Sequence, residues 1–254
     1  MPSDTAAPPL AVLLVAHGER GGAFSNAILE RHARAVGDAM PMLPVAAGVL
    51  SGEPKLEEAA AAMAGRTGGP ILVYPFFMAA GYFVNVKVPG RLADAGLARR
   101  CRMLTPLGAA PRLPALIRER AEAAARSLGC PAAGCRLLLV GHGSKVARAS
   151  AEATEAVAAS LRENAGFATV ATAFLEEAPF LADVVASDDR PTVVVGFFNG
   201  DGLHAAEDVP EAIATFTGPI AYTGPVGAFA EVSRLIADTI AEAVHDLRHA
   251  TEEA

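Results

Sequence analysis

Val12-Leu-Leu-Val-Ala-His-Gly18 and Leu137-Leu-Leu-Val-Gly-His-Gly143 are two readings of one pattern, a short apolar run that ends in a His-Gly turn. The offset between His17 and His142 is 125 residues. Working outward, Gly48-Val-Leu-Ser-Gly-Glu-Pro54 matches Ala173-Phe-Leu-Glu-Glu-Ala-Pro179 at the same offset. The run Pro75 to Pro89 matches Gly196 to Pro210 without gaps, now 121 residues apart. Thr105-Pro-Leu-Gly108 echoes Thr223-Gly-Pro-Val-Gly227. Four matches in one order, at nearly constant offset, mark a duplication with a period of about 120 residues.

Each copy alternates four apolar runs with four Ala-rich stretches. The runs lie at 10–16, 43–50, 70–76 and 101–105, then at 136–141, 168–175, 192–198 and 218–222. They are rich in Val, Leu and Ile and do not alternate with polar residues, which suits parallel strands covered on both faces. Stretches such as Ser25–Val36 and Ser150–Leu161 carry apolar residues at helical spacing. The expectation is an α/β fold of two similar parallel-sheet halves, with right-handed crossovers. Gly129, Pro131 and Gly134 break the pattern between them, so the halves divide as 1–128 and 129–254.

Composition narrows the function. The 254 residues include 21 basic and 28 acidic side chains, a net charge of −7 that disfavours a nucleic-acid partner. Trp is absent and Tyr numbers three, which weakens base stacking further. With 52% apolar and 19% charged residues, the chain can bury a substantial core and is not a disordered one. Cys101, Cys130 and Cys135 cannot all pair and form no CxxC, as expected of thiols in a reducing compartment. No apolar run reaches membrane length and Met1–Pro9 has no basic leader, so a cytoplasmic location with no membrane partner is expected.

Ligands of an open parallel sheet gather beyond the carboxyl ends of its strands. In the second half His142 follows the first strand, Glu176 the second, and His204 falls in the Gly-rich loop after the third. Two imidazoles and a carboxylate at three successive strand ends are a donor set for a divalent first-row metal, and can exchange protons near neutral pH. The first half offers His17, Ser51 and Phe83 at the matching places, a poor metal site. The chemistry therefore belongs to the second half. Glu177, next to Glu176, reads as solvated, and His32 reads as a surface helix residue. His245 and His249 sit one helical turn apart near the polar tail, a spacing that suits chelation or an exposed helix face. No G-x-S-x-G elbow, G-x-G-x-x-G fingerprint or P-loop follows either first strand, which argues against a serine hydrolase and a dinucleotide enzyme.

Val140-Gly-His-Gly-Ser144, Phe174-Leu-Glu176 with Pro179, and Gly202-Leu-His-Ala-Ala-Glu-Asp-Val-Pro210 resemble motifs of the class II chelatases, specifically the duplicated sirohydrochlorin cobaltochelatase and ferrochelatase group. The resemblance covers both halves. It implies two flavodoxin-like halves facing each other across a tetrapyrrole cleft, and a lyase that inserts Co2+ or Fe2+ into sirohydrochlorin for cobalamin or siroheme. It further implies that His142, Glu176 and His204 handle the metal and its protons. The metal is then a substrate, and no cofactor is permanently bound. For the carboxylate-rich substrate, Arg20, Lys145 and Lys87 are candidate cations, with Arg148 behind them. Phe83, with Tyr82 and Leu203, is a candidate for its ring face. A non-catalytic tetrapyrrole or metal carrier would keep the same donors without turnover, and a purely structural duplicate would need neither site. Nothing in the sequence chooses between cobalt and iron or sets the number of subunits.

Overall fold

The computed structural model of the chain describes residues 10–18, 26–144, 148–164 and 166–252. The first sheet contains β1 (Ala11–Ala16), β2 (Val45–Val49), β3 (Ile71–Pro75) and β4 (Cys101–Met103). The second contains β5 (Arg136–Gly141), β6 (Thr169–Phe174), β7 (Thr192–Gly196) and β8 (Ile220–Pro225). All pairings are parallel, in the orders β2-β1-β3-β4 and β6-β5-β7-β8. The two four-stranded sheets thus have one topology, as the repeat predicts.

Every residue of β1, β3, β5 and β7 is buried, whereas the edge strands β2, β4, β6 and β8 are only partly covered. This is why the central runs are continuously apolar: both faces lie under helices. Each fully buried Leu or Val there contributes about 1.5–3 kcal/mol. The helices are α1 (Ala27–Ala39), α2 (Leu56–Arg66), α3 (Val88–Asp94), α4 (Leu113–Ser127), α5 (Ala149–Asn164), α6 (Leu181–Ala186), α7 (Val209–Ile213) and α8 (Val232–Glu252). Among the described residues, no helix is long and apolar enough to cross a membrane.

The compact units differ from the sequence halves 1–128 and 129–254. One unit comprises 1–77, 82–107 and 233–254, and the other 78–81 and 108–232. Helix α4, the last of the first half, packs on β7, β8 and α5 of the second sheet. Helix α8, the last of the second half, belongs with the first unit, where Ser233 meets His32 of α1. Each unit therefore includes the other half's final helix. That exchange also corrects the reading of His32, which is fully buried. Its Nδ1 lies 2.6 Å from Ser233 Oγ, and its ring tilts against Phe76 with centroids 5.3 Å apart.

The segment expected as a Gly-rich loop after the third strand is helical in both units. Phe83–Lys87 and His204–Asp208 each form a π-helical turn running directly into α3 and α7. The proline one residue into the following helix, Pro89 or Pro210, explains the widening. Proline has no amide hydrogen and its ring clashes with the carbonyl four residues back, so the ladder shifts to a five-residue step. Accordingly the N–H of Val88 reaches the carbonyl of Phe83, and that of Val209 the carbonyl of His204.

Candidate metal centre

Strands β1 and β5 are the points at which strand order reverses in their sheets, so loops after them border the ligand crevice. His142 is the first residue beyond β5, and His204 opens the π turn after β7, the neighbouring strand. The two imidazoles meet edge to face, with centroids 4.3 Å apart and planes at 88°. Their Nε2 atoms are 2.9 Å apart.

The partners of the other ring nitrogens fix the tautomers. His142 Nδ1 lies 2.8 Å from the Gly143 carbonyl, which can only accept, so this nitrogen carries the hydrogen. His204 Nδ1 is 2.5 Å from Asp208 Oδ2, and donates to that carboxylate. With both Nδ1 atoms engaged as donors, the Nε2 atoms are the positions left to bind, and they point at one another. Only a cation relieves that opposition: a proton shared between the nitrogens, or a metal ion. Two nitrogens bound at about 2.1 Å and roughly at right angles lie about 3.0 Å apart, close to the spacing seen here.

Glu176 does not join this pair as a third donor. Its side chain is exposed, and its backbone N–H donates to the His142 carbonyl at 3.0 Å. Among the described residues, no three His, Cys, Asp or Glu side chains cluster closely enough to hold a metal. The neighbouring Glu177, read from sequence as solvated, is half-buried, and its Oε1 accepts the Ser144 N–H at 2.9 Å. Sequence reasoning passed over Glu177 and assigned no role to Asp208, although the four-residue spacing of His204 and Asp208 was a signal for the latter.

The first unit repeats the frame without the donors. His17 Nδ1 faces the Gly18 carbonyl at 3.2 Å, and the Ser51 N–H donates to the His17 carbonyl at 2.9 Å. Phe83 stands where the second imidazole would be, and the exposed Lys87 replaces Asp208. Phe83 is 40% exposed, and Tyr82 and Leu203 are more exposed still, leaving all three able to meet a ligand. Arg20 and Lys145 lie outside the described residues. Arg148 is exposed and pairs with Glu152 at 3.4 Å. His245 and His249 pack edge to face on α8 with centroids 4.2 Å apart.

The doubled four-stranded parallel sheets are those of a chelatase fold. The chain belongs to the CbiX family, whose sequence profile matches residues 11–124 and again 136–243. A solved structure of CbiX, described as the terminal enzyme for siroheme biosynthesis in denitrifying bacteria, is 35% identical, with a TM-score of 0.78 over 92% of this chain and 99% of that one. A Halobacterium salinarum protein described as a "Probable sirohydrochlorin cobaltochelatase" is 40% identical over 76 residues, 30% of this chain. The match spans only 26% of that relative's length. SirB from Bacillus subtilis, solved with Fe3+, shares the fold at 18% identity, with a TM-score of 0.72 over 92% of this chain and 95% of that one.

Proposed function

We propose that the protein is a sirohydrochlorin chelatase that exchanges the two pyrrole N–H protons of the macrocycle for one Co2+ or Fe2+ ion. The observation that carries this reading is the 2.9 Å gap between the Nε2 atoms of His142 and His204, backed by hydrogen bonds that leave both lone pairs free. Membership of the CbiX family and the descriptions of its relatives support the substrate class.

In this proposal His142 and His204 grip the incoming ion, and each replaces a bound water with an imidazole nitrogen. Their bond is strong enough to orient the ion yet, with two protein donors among the described residues, leaves its other positions for the macrocycle nitrogens. As the metal passes to the macrocycle, its two pyrrole nitrogens give up their protons: the vacated gap accepts one, since one proton satisfies both lone pairs, and the other goes to solvent water. Asp208 and the Gly143 carbonyl keep both rings in the competent tautomer throughout. Glu176, whose exposed carboxylate lies two residues beyond β6, is the proposed carrier of protons to solvent. Lys87, Arg20 and Lys145 are proposed contacts for the substrate's carboxylates, and Phe83 for its ring face. The metal is consumed as a substrate and the reaction needs no resident cofactor.

The test is anaerobic absorbance of the purified protein with sirohydrochlorin and Co2+ or Fe2+, beside His204→Ala. Multiple turnovers by the natural protein, lost in the variant, are expected. Stoichiometric binding without turnover would make the protein a carrier, and turnover surviving in the variant would move the chemistry elsewhere.

A further inference from the structure

We infer that Glu177 is a positioning residue that sets the ligand strength of His142 through one peptide group. The inference rests on the reading of His142 as a metal-handling residue and adds a residue to its support. The peptide between Gly143 and Ser144 is engaged at both ends. Its N–H donates to Glu177 Oε1 at 2.9 Å, and its carbonyl accepts from His142 Nδ1 at 2.8 Å. Glu177 thereby fixes the plane of the group that orients the imidazole. An anionic acceptor on a peptide N–H also polarises the carbonyl, which draws harder on the Nδ1 hydrogen and leaves Nε2 the better donor to a metal.

The fit around the peptide is tight. Gly143 has φ +72°, a left-handed turn suited to glycine. A Cβ added there would lie 2.9 Å from Glu177 Cγ and 3.0 Å from Phe174 Cβ, so the carboxylate arm packs directly over the turn. Both histidines of the centre are then backed by a carboxylate, His204 directly by Asp208 and His142 by Glu177 one peptide removed.

The first unit is an internal comparison. At the position of Glu177 it has Gly52, and at the position of Asp208 it has Lys87. Both carboxylates are missing where the second imidazole is missing. The His17 Nδ1 to Gly18 carbonyl distance there is 3.2 Å, against 2.8 Å for His142. The turn itself survives, with Gly18 at φ +93°, so Glu177 is not needed merely to form it.

The experiment uses the full chain, with Glu177→Ala and Glu177→Gln. In the metal-free protein, 15N NMR of histidine reads the tautomer of His142. The natural protein is expected to show the Nδ1–H form, Glu177→Ala a mixture, and Glu177→Gln the natural form, because its amide oxygen still accepts. Equilibrium dialysis with Co2+ is expected to give about tenfold weaker binding for Glu177→Ala and an intermediate loss for Glu177→Gln. In turnover, kcat is expected to fall while KM for sirohydrochlorin stays. An unchanged His142 tautomer together with unchanged Co2+ affinity in Glu177→Ala would overturn the inference. Should that variant not fold, Glu177→Gln decides: weaker Co2+ binding at an unchanged Tm supports it, and unchanged binding overturns it. Absence of metal insertion by the natural protein would defeat the chelatase reading but leave the tautomer measurement standing.

Discussion

Asp208 Oδ2 takes the Nδ1 hydrogen of His204 at 2.5 Å, from four residues along the same π turn. The contact fixes which nitrogen of His204 is free. Removing it in Asp208→Ala lets the ring rotate and exchange tautomers, and Co2+ affinity should fall about 10- to 100-fold. Asp208→Asn, which keeps an acceptor, should lose less. Competition titration against a metal indicator reads both, and full affinity in Asp208→Ala would mean that His204 is oriented by something else.

His17 and Phe83 reproduce the ring geometry of His142 and His204, with centroids 4.8 Å apart and planes at 87°, but phenyl cannot replace imidazole as a donor. His17→Ala should therefore leave Co2+ affinity and stoichiometry unchanged. It should lower stability by about 0.5–1.5 kcal/mol through the lost edge-to-face contact, read by urea unfolding. The double change Phe83→His with Lys87→Asp should raise binding from one Co2+ to two. A stoichiometry that stays at one would show that ring placement alone does not rebuild the site.

Arg136 is buried at the start of β5. Its guanidinium donates to Thr192 Oγ1 at 3.1 Å and to the carbonyls of Val184, Val185 and Asp188 at 2.8, 3.3 and 3.2 Å, tying the end of α6 to the sheet. Burial lowers its pKa, but an arginine stays charged throughout the working range. Arg136→Leu would strand those carbonyls and should lower stability by about 3 kcal/mol in urea unfolding. A loss below about 1 kcal/mol would mean that water replaces the guanidinium.

Glu57 on α2 accepts a hydrogen bond from Arg91 on α3, which holds its carboxyl below the usual carboxylate range against the opposing effect of burial. A carboxyl whose pKa is lower folded than unfolded adds stability above its unfolded value, near 4.3, and loses it as pH falls through the folded value. Comparing Tm of the natural protein and Glu57→Gln from pH 7 to pH 3 should show a gap that is full at pH 6 and closes in acid. A constant gap would assign the difference to packing rather than ionisation.

Much of the fold was legible because the strands are marked by hydrophobicity and the duplication shows each one twice. The place of His142 and His204 was legible for the same reason, since parallel sheets put their strand ends together. What escaped depended on backbone geometry or long-range packing. Glu177 acts on a main-chain N–H, which leaves no spacing signature. The π turns follow from where a proline falls relative to the carbonyl behind it, a matter of ladder register. His32 looked like a surface residue because its cover, Ser233, is 201 residues away. Glu176, nearest the strand end, looked like a ligand, yet its backbone rather than its side chain meets His142.

The exchange of α4 and α8 has a consequence for the history of the chain. A polypeptide cut near residue 128 would carry the closing helix for the wrong sheet, so neither fragment could cover its own apolar face. Only the two together would restore both layers. An unduplicated ancestor with the same exchange would have been an obligate pair of identical chains, each lending its last helix to the other. Fusion of such a pair into one polypeptide would free the copies to diverge: one could do without the second imidazole and the carboxylates while its helix continued to hold up the half that has them.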